Sequence, residues 1–208
     1  NDWFESMQIR LLAMTTALGL ALFVWRSLTA TRPLVDLSVF KSRPFLICTL
    51  LMFLLGFGLY GSFTMLPLYA QTVMGYTATL AGLVLSPGGL MSLLAMAFVG
   101  NLVGKVDARA LVVFGAAMNI WSLSVLQHVY TGVDFMYLTS SRLLQGFGMG
   151  FLFVPLTAIA FGGLRPQQIG QATGLFNLLR NEGGSIGIAL ASTVLARHAQ
   201  MHQDRKSV

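Results

Sequence analysis

PFLICTLLMFLLGFGLYGSFTMLPLYAQTVMGYTATLAGLVLSPGGLMSLLAMAFVGNLVG, residues 44–104, runs for sixty-one positions between Arg43 and Lys105 without an Asp, Glu, Lys, Arg or His. A soluble domain rarely keeps charge out for so long, because its surface must be wetted. As a single helix the stretch would extend roughly 90 Å at 1.5 Å per residue, about three times the hydrocarbon thickness of a bilayer. It therefore has to fold back on itself. The polar break at Gln71, Thr72, Gly75, Tyr76 and Thr77 supplies the turn, and the pattern predicts a helical hairpin.

Working outward, five more landmarks agree with a membrane chain. The whole sequence is 55% hydrophobic and 10% charged, with a mean hydropathy of +0.73, which is the composition of a polytopic helical protein. Six apolar segments can be placed: Ile9 to Trp25, Pro44 to Leu68, Thr79 to Val103, Leu111 to Tyr130, Phe135 to Phe161 and Ala172 to Ala196. Each is too long and too uniformly apolar for a barrel strand, and backbone groups in lipid must be satisfied within the segment, so the predicted class is all-α. The formal net charge of +6 sits in short clusters between apolar runs, as membrane topology requires, and not in a basic surface suited to nucleic acid. The single cysteine, Cys48, lies inside an apolar run, which excludes an intrachain disulfide. His198 and His202 are spaced i, i+4 but lack a third ligand, so no metal site is expected. His128 likewise falls at a segment end, and no hydrolase, metalloprotease or P-loop motif is present. The chain opens on Asn1 and ends on a polar tail, and is expected to be an excerpt of a longer protein.

Orientation follows from the basic residues of alternate connections. One side carries Arg26, Arg32, Lys41, Arg43, Lys105, Arg109 and Arg165; the other carries Arg10, Arg197, Arg205 and Lys206, a bias of seven to four. The side holding Arg26 to Arg43 is predicted to be cytoplasmic. Trp3, Phe4, Trp25, Tyr69, Tyr76 and Tyr130 fall at segment ends, where amphipathic rings favour the headgroup level.

Three ionisable residues lie within segments: Arg142, Arg180 and Glu182. A charge there is costly and is a functional hypothesis by default. The purely apolar part of the last segment, Ser185 to Leu195, is too short to cross alone, which draws Arg180 and Glu182 towards mid-depth. Two positions on a helix are about 200° apart, so these two project to opposite sides and each needs its own partner. For Arg180 the plain alternative is snorkelling to the headgroups, and for Glu182 a neutral acid bonded to a neighbouring helix. Gly146, Gly148 and Gly150, with Gly183, Gly184 and Gly187, permit close helix approach, either as static packing or as a sliding interface. Pro67, Pro87 and Pro155 interrupt the hydrogen-bond ladder and can leave carbonyls facing a cavity.

Several motifs recur in order along the chain. Gly100-Asn-Leu-Val-Gly-Lys-Val-Asp-Ala-Arg109 resembles the second-half copy of the loop motif G-x-L-x-D-R-x-G-R of the major facilitator superfamily, with Gly104 in place of the acid and Asp107 in place of a glycine. Leu138-Thr-Ser-Ser-Arg142-Leu-Leu-Gln145-Gly146-Phe-Gly148 is similar to the helix motif l-x-x-x-R-x-x-q-G-x-g of the same superfamily. With Trp3-Phe4-Glu5-Ser6, Pro33-Leu-Val-Asp36-Leu-Ser-Val-Phe40, Leu66-Pro67-Leu-Tyr69-Ala-Gln71 and Asn177-Leu-Leu-Arg180 followed by Gly183-Gly184-Ser-Ile-Gly187, the set resembles the fourteen-helix drug:proton antiporters of EmrB/QacA type, most of all the EmrB branch.

The resemblance implies a linker helix and cytoplasmic connection over residues 1–43. It further implies an incomplete C-terminal transporter bundle over 44–208, lacking its last helix. It implies proton-coupled efflux of lipophilic small molecules across the inner membrane of a bacterium, with protons as coupling ion, no other cofactor, and a periplasmic adaptor and outer-membrane channel as partners. Under it, Pro67, Tyr69, Gln71, Arg142 and Gln145 belong to the substrate cavity, and Glu182, Arg180 and Arg142 to proton coupling. Gly100, Gly104, Lys105, Asp107, Arg109, Asn177, Gly184 and Gly187 belong to the domain interface and its gating, the last group sharing a helix face with Arg180. An exporter of a metabolite or siderophore, and a self-contained six-helix channel or assembly protein, are the competing readings.

The basic bias carries a test. In full-length protein with Cys48→Ser, a membrane-impermeant thiol reagent added outside should label Thr72→Cys and Asp134→Cys and spare Ser42→Cys and Asp107→Cys. The opposite pattern inverts the topology.

Overall fold

Uninterrupted apolar sequence leaves the backbone only its own carbonyls to bond to, and every predicted segment becomes a helix. The computed structural model describes residues 7–29, 37–126 and 135–204. Within them lie α1 (Met7–Thr29), a short 3₁₀ turn (Leu37–Lys41), α2 (Arg43–Thr72), α3 (Ala78–Leu102), α4 (Ala108–Leu126), α5 (Phe135–Phe161) and α6 (Pro166–Asp204). No strand is present among the described residues, apart from an isolated bridge between Val103 and Val106. Trp3, Phe4, Glu5, Ser6, Arg32, Pro33, Asp36, His128, Tyr130, Asp134, Arg205 and Lys206, singled out above, lie outside the described residues, as do the side chains of Arg197, His198 and His202.

Four helices, α2 to α5, are long and apolar enough to cross a membrane. The chain is a multi-pass membrane protein. The last helix, α6, is 39 residues long but is interrupted by Asn177, Arg180, Asn181 and Glu182. It nevertheless runs beside α2 at spanning depth: a methyl added at Gly56, near the middle of α2, would strike the Arg180 carbonyl. The first helix keeps Leu11, Leu12, Leu18 and Leu22 exposed.

The turn after α2 is where the sequence places it. Gly75 takes a positive φ of 69°, and Thr77 caps α3 by accepting a hydrogen bond from the Leu80 amide at 3.3 Å. The packing of the hairpin departs from the simplest expectation, however. The main partner of α2 is α6, and that of α3 is α5. Phe53 and Phe57 meet Gly183 and Gly187 in the same order along both chains, so α2 and α6 are parallel; Gly88 meets Arg142 and Ala95 meets Gly150, so α3 and α5 are parallel too. The helix α4 lies antiparallel on its neighbour α5, where Gly115 faces Phe151 and Ser122 faces Ser141. The reason is steric: the small residues that admit a close backbone lie on the faces turned to these non-sequential partners.

A methyl at Gly115 would stand 2.8 Å from the Gly148 carbonyl oxygen, one at Gly150 would stand 2.5 Å from Ala95 Cβ, and one at Gly146 would overlap the Gly88 carbonyl. Around these contacts three apolar clusters form. At the Arg43 end Phe45, Met52, Leu152, Leu156 and Phe176 are buried together, with Phe161 and Phe176 ring centroids 5.4 Å apart at an interplanar angle of 61°. At the other end Leu66, Val84 and Leu138 join α2, α3 and α5. Val99, Leu111 and Phe151 join α3, α4 and α5.

Neighbouring glycines test the close approach. A methyl at Gly88 would lie 2.7 Å from the Arg142 carbonyl oxygen, whereas one at Gly89 meets nothing within 4 Å. Gly88→Ala should destabilise full-length protein by about 1–3 kcal/mol through overpacking, while Gly89→Ala should be neutral or stabilise by up to about 1 kcal/mol through helix propensity. Thermal midpoints in detergent measure both, and equal tolerance would mean that α3 and α5 are not in backbone contact.

Candidate functional site

Arg142 sits on α5, one turn before Gly146, and the close approach around Gly146 leaves it nowhere to snorkel. It is 2% exposed, the largest fully buried side chain among the described residues. Burying a cation this deep in an apolar bundle is expensive unless its donors are met. One Nη donates to Gln145 Oε1, the residue a turn away on the same helix face. The other Nη reaches across to α2, donating to the Ser62 carbonyl at 3.0 Å and to Ser62 Oγ at 3.1 Å. The guanidinium also lies 5.3 Å from the Phe63 ring centroid, within cation–π range. Arg142 Nε and Gln145 Nε2 are left without a partner, so the cluster is well held but incompletely satisfied.

Ser62 connects this cluster to open space. On one side of it a cavity of about 680 Å³ lies between α2 and α6, walled by Phe57, Gly61, Met65, Tyr69, Gly187 and Leu190 among others. On the other side a smaller cavity of about 350 Å³ shares Ser62, Met65 and Tyr69 and adds Leu66 and Leu126. The larger is almost wholly apolar and the smaller mainly so, each with an adaptable Met and an amphipathic Tyr, as suits lipophilic molecules of varied shape.

Of the residues assigned to a cavity from sequence, the structure puts Tyr69 on the wall of both. Arg142 and Gln145 are brought together but stand behind Ser62, off the wall. Pro67 is half-buried and off it as well, with its carbonyl accepting from Gln71 Nε2 at 3.2 Å. Ser62, Phe63 and Met65 were not anticipated. A lone serine at i, i+3 and i+7 from Met65 and Tyr69 in an apolar run was the available signal.

The polar residues of α6 divide as the spacing predicts. Arg180 is half-buried, with its guanidinium 5.6 Å from the Phe153 ring centroid and its Nε unpartnered. Glu182 is on the opposite, exposed face, and Asn177 turns its amide to the Thr173 carbonyl at 3.0 Å. The structure does not bring Glu182 to Arg142; the guanidinium is already engaged by Gln145 and Ser62. Gly184 and Gly187, grouped above with an interface to a missing half, instead abut α2: Tyr60 Cδ2 would be 2.7 Å from a methyl at Gly184, and the Phe57 carbonyl would overlap one at Gly187. Both glycines are buried against that helix and serve the α2–α6 contact within this chain.

Gly100 lies in the last turn of α3, which ends at Leu102, and in the loop beyond it Gly104 adopts a φ of 92°, which explains why a glycine replaces the acid of the motif at this position. Asp107 begins α4, its Oδ1 accepting from the Arg109 amide at 2.9 Å and its carbonyl from Ala110 at 3.0 Å. Lys105 and Arg109 are exposed.

The model of the Major Facilitator Superfamily matches residues 7–188. Multidrug export protein EmrB of Escherichia coli K12 is 35% identical over 204 residues, covering 97% of this chain and 40% of that protein. Fatty acid resistance protein FarB of Neisseria gonorrhoeae is 33% identical over 98% of this chain and 40% of its own length. Lincomycin resistance protein LmrB of Listeria innocua is 31% identical over 94% of this chain and 41% of its own length. The chain thus spans about two fifths of the relatives it matches.

If Arg142 and Gln145 exist for chemistry and not for stability, removing both should be better tolerated than breaking the pair. Gln145→Leu alone strips a buried cation of an acceptor and should cost about 2–3 kcal/mol. Arg142→Met with Gln145→Leu leaves an apolar contact and should fall within about 1 kcal/mol of the parent. Thermal midpoints of the purified full-length variants decide; a double variant less stable than the single makes the pair part of the scaffold.

Proposed function

The chain belongs to the major facilitator superfamily, and on that premise we propose that it forms the C-terminal portion of a proton-coupled exporter of lipophilic small molecules. The observation that carries the proposal is the buried Arg142–Gln145–Ser62 cluster beside an apolar cavity of about 680 Å³. A buried, incompletely satisfied cation contributes little to stability, so its retention in the middle of a bundle is accounted for by a task. That task is to hold the α2–α5 contact in one arrangement and release it in another, with Ser62 relaying the change to the cavity wall. The names of the similar proteins, which speak of multidrug export and of resistance to fatty acids and lincomycin, support a lipophilic cargo, and the membrane-crossing helices with these bacterial relatives support a bacterial inner membrane. Resemblance to the EmrB branch supports a periplasmic adaptor and an outer-membrane channel as partners.

Coupling needs a group that loads and releases a proton. Glu182 is the candidate in this chain: it lies two residues from Arg180, which is level with the middle of α2, yet on the exposed face of α6. A carboxyl at that depth, facing away from its own bundle, is available to a charged partner in the remainder of a full-length permease, and its ionisation would follow whether that partner is near. Arg180, held by Phe153, is a second charge on the same helix and cannot neutralise it directly.

Two substitutions in full-length protein, assayed in inverted membrane vesicles, test these roles. Arg142→Met with Gln145→Leu should lower export of a lipophilic dye at least tenfold at unchanged abundance. Glu182→Gln should still bind the dye but lose accumulation driven by a pH gradient, whereas Glu182→Asp should keep part of it. Normal pH-driven accumulation in the Gln variant would make Glu182 structural.

A further inference from the structure

The helices α2 and α4 both lean on α5, and at the Arg43 end a trough remains between them. Its volume is about 450 Å³. Ile47 and Leu51 of α2 and Val112 and Val113 of α4 form the walls, with Leu156 and Ile159 of α5 as the floor. From Arg43 to Leu51 it runs about 12 Å at 1.5 Å per residue. Its outer rims are bare: Ile47 is 58% exposed and Val113 68%. At its mouth stand two guanidinium groups from different helices, Arg43 and Arg109, both exposed, neither paired with a described side chain, and no carboxylate is on the wall. Asp107, at the start of α4, has its Oδ1 bonded to the Arg109 amide.

This combination selects an occupant. Because α2 and α4 cross the membrane, the trough is open sideways to lipid, and its two ends differ in chemistry: a cationic mouth at the helix ends and a dry apolar channel leading towards mid-bilayer. A soluble anion would match only the mouth, and an apolar helix only the channel. We propose that the trough binds a phospholipid of net negative charge, with its phosphodiester between Arg43 and Arg109 and one acyl chain lying along Ile47, Leu51 and Ile159. Basic pockets between membrane helices at the headgroup level hold anionic lipids by this pairing of charge and apolar length. The lipid would fill the gap that α2 and α4 leave and so tie the mouth of α4, and the Gly104–Asp107 loop before it, to α2.

The test uses full-length permease with a photoreactive benzophenone side chain at position 47, reconstituted in vesicles of phosphatidylethanolamine containing phosphatidylglycerol. Mass spectrometry of the adducts should find phosphatidylglycerol enriched well above its share of the bilayer. Arg43→Gln and Arg109→Gln should each reduce that enrichment about fivefold, and Arg109→Lys should retain most of it. The same probe at Leu94, on the exposed face of α3, should show no headgroup preference. Adducts in proportion to bilayer composition at position 47 would overturn the proposal, as would cross-links to another segment of the permease lying in the trough. Loss of the phosphatidylglycerol preference on adding millimolar inorganic phosphate would reduce the site to an anion contact and also reject it. Both arginines are exposed, and monodispersity of each variant on size exclusion keeps a folding failure distinguishable from a lost site.

Discussion

Backbone-to-backbone contact at glycine is the constraint on which the rest of this bundle depends. In lipid there is little hydrophobic drive to bring helices together, so association rests on van der Waals contact and a few polar links, and both require close axes. Gly88 against Gly146, Gly115 against Gly148, and Gly183 and Gly187 against α2 provide that closeness. Once α3, α4 and α5 are drawn in, short polar side chains can reach across. Ser122 and Ser141 exchange hydrogen bonds with each other's carbonyls at 2.7 and 3.1 Å, and the Tyr137 hydroxyl donates to the Val125 carbonyl at 2.9 Å. Without the glycines these serines would be too far apart to bond.

The same closeness creates the polar centre. Arg142 cannot escape along its own helix because the neighbouring backbones occupy the way, and it is met instead by Gln145 and Ser62. Asn119, also buried, bonds the Gly115 carbonyl at 2.9 Å and leaves its Oδ1 without a partner. The incompletely satisfied groups are concentrated on α4 to α6, whereas the buried apolar clusters at the two ends hold no Asp, Glu, Lys, Arg or His.

Much of this was legible from hydropathy alone. The charge-free run 44–104 dictated two helices and a turn, because in lipid the backbone has no other solution, and the glycine spacings in α5 and α6 announced close contact. What hydropathy does not encode is which helices touch. Leu46 and Phe45 are adjacent and equally apolar, yet Leu46 is 49% exposed and Phe45 is fully buried; in lipid both environments are oily, so the pattern that separates core from surface in water is absent. Partner choice, and with it the parallel pairing of α2 with α6, was therefore hidden. The contact of Gly184 and Gly187 with α2 was hidden for the same reason: spacing reveals that a face is small, not which neighbour fills it. Gly104 was the opposite case. It stands in place of a family motif's acid, and its left-handed backbone shows a requirement for glycine there.

The parallel pairing has a consequence for how the chain is made. Arg142 finds Ser62 eighty positions back, and Gly187 finds Phe57 further back still, so neither contact exists when the earlier helix leaves the ribosome. Helix α2 must wait in the bilayer, with its glycine face and the Ser62 hydroxyl unclaimed, while three further helices are inserted. Parallel neighbours cannot form by a simple hairpin closing behind the translocon; each pair needs an intervening crossing before it can assemble. Biogenesis of this half is thus a problem of holding early helices in reserve, and its vulnerable moment is the interval in which α5 has brought a guanidinium into lipid and α6 has not yet sealed the other side of α2.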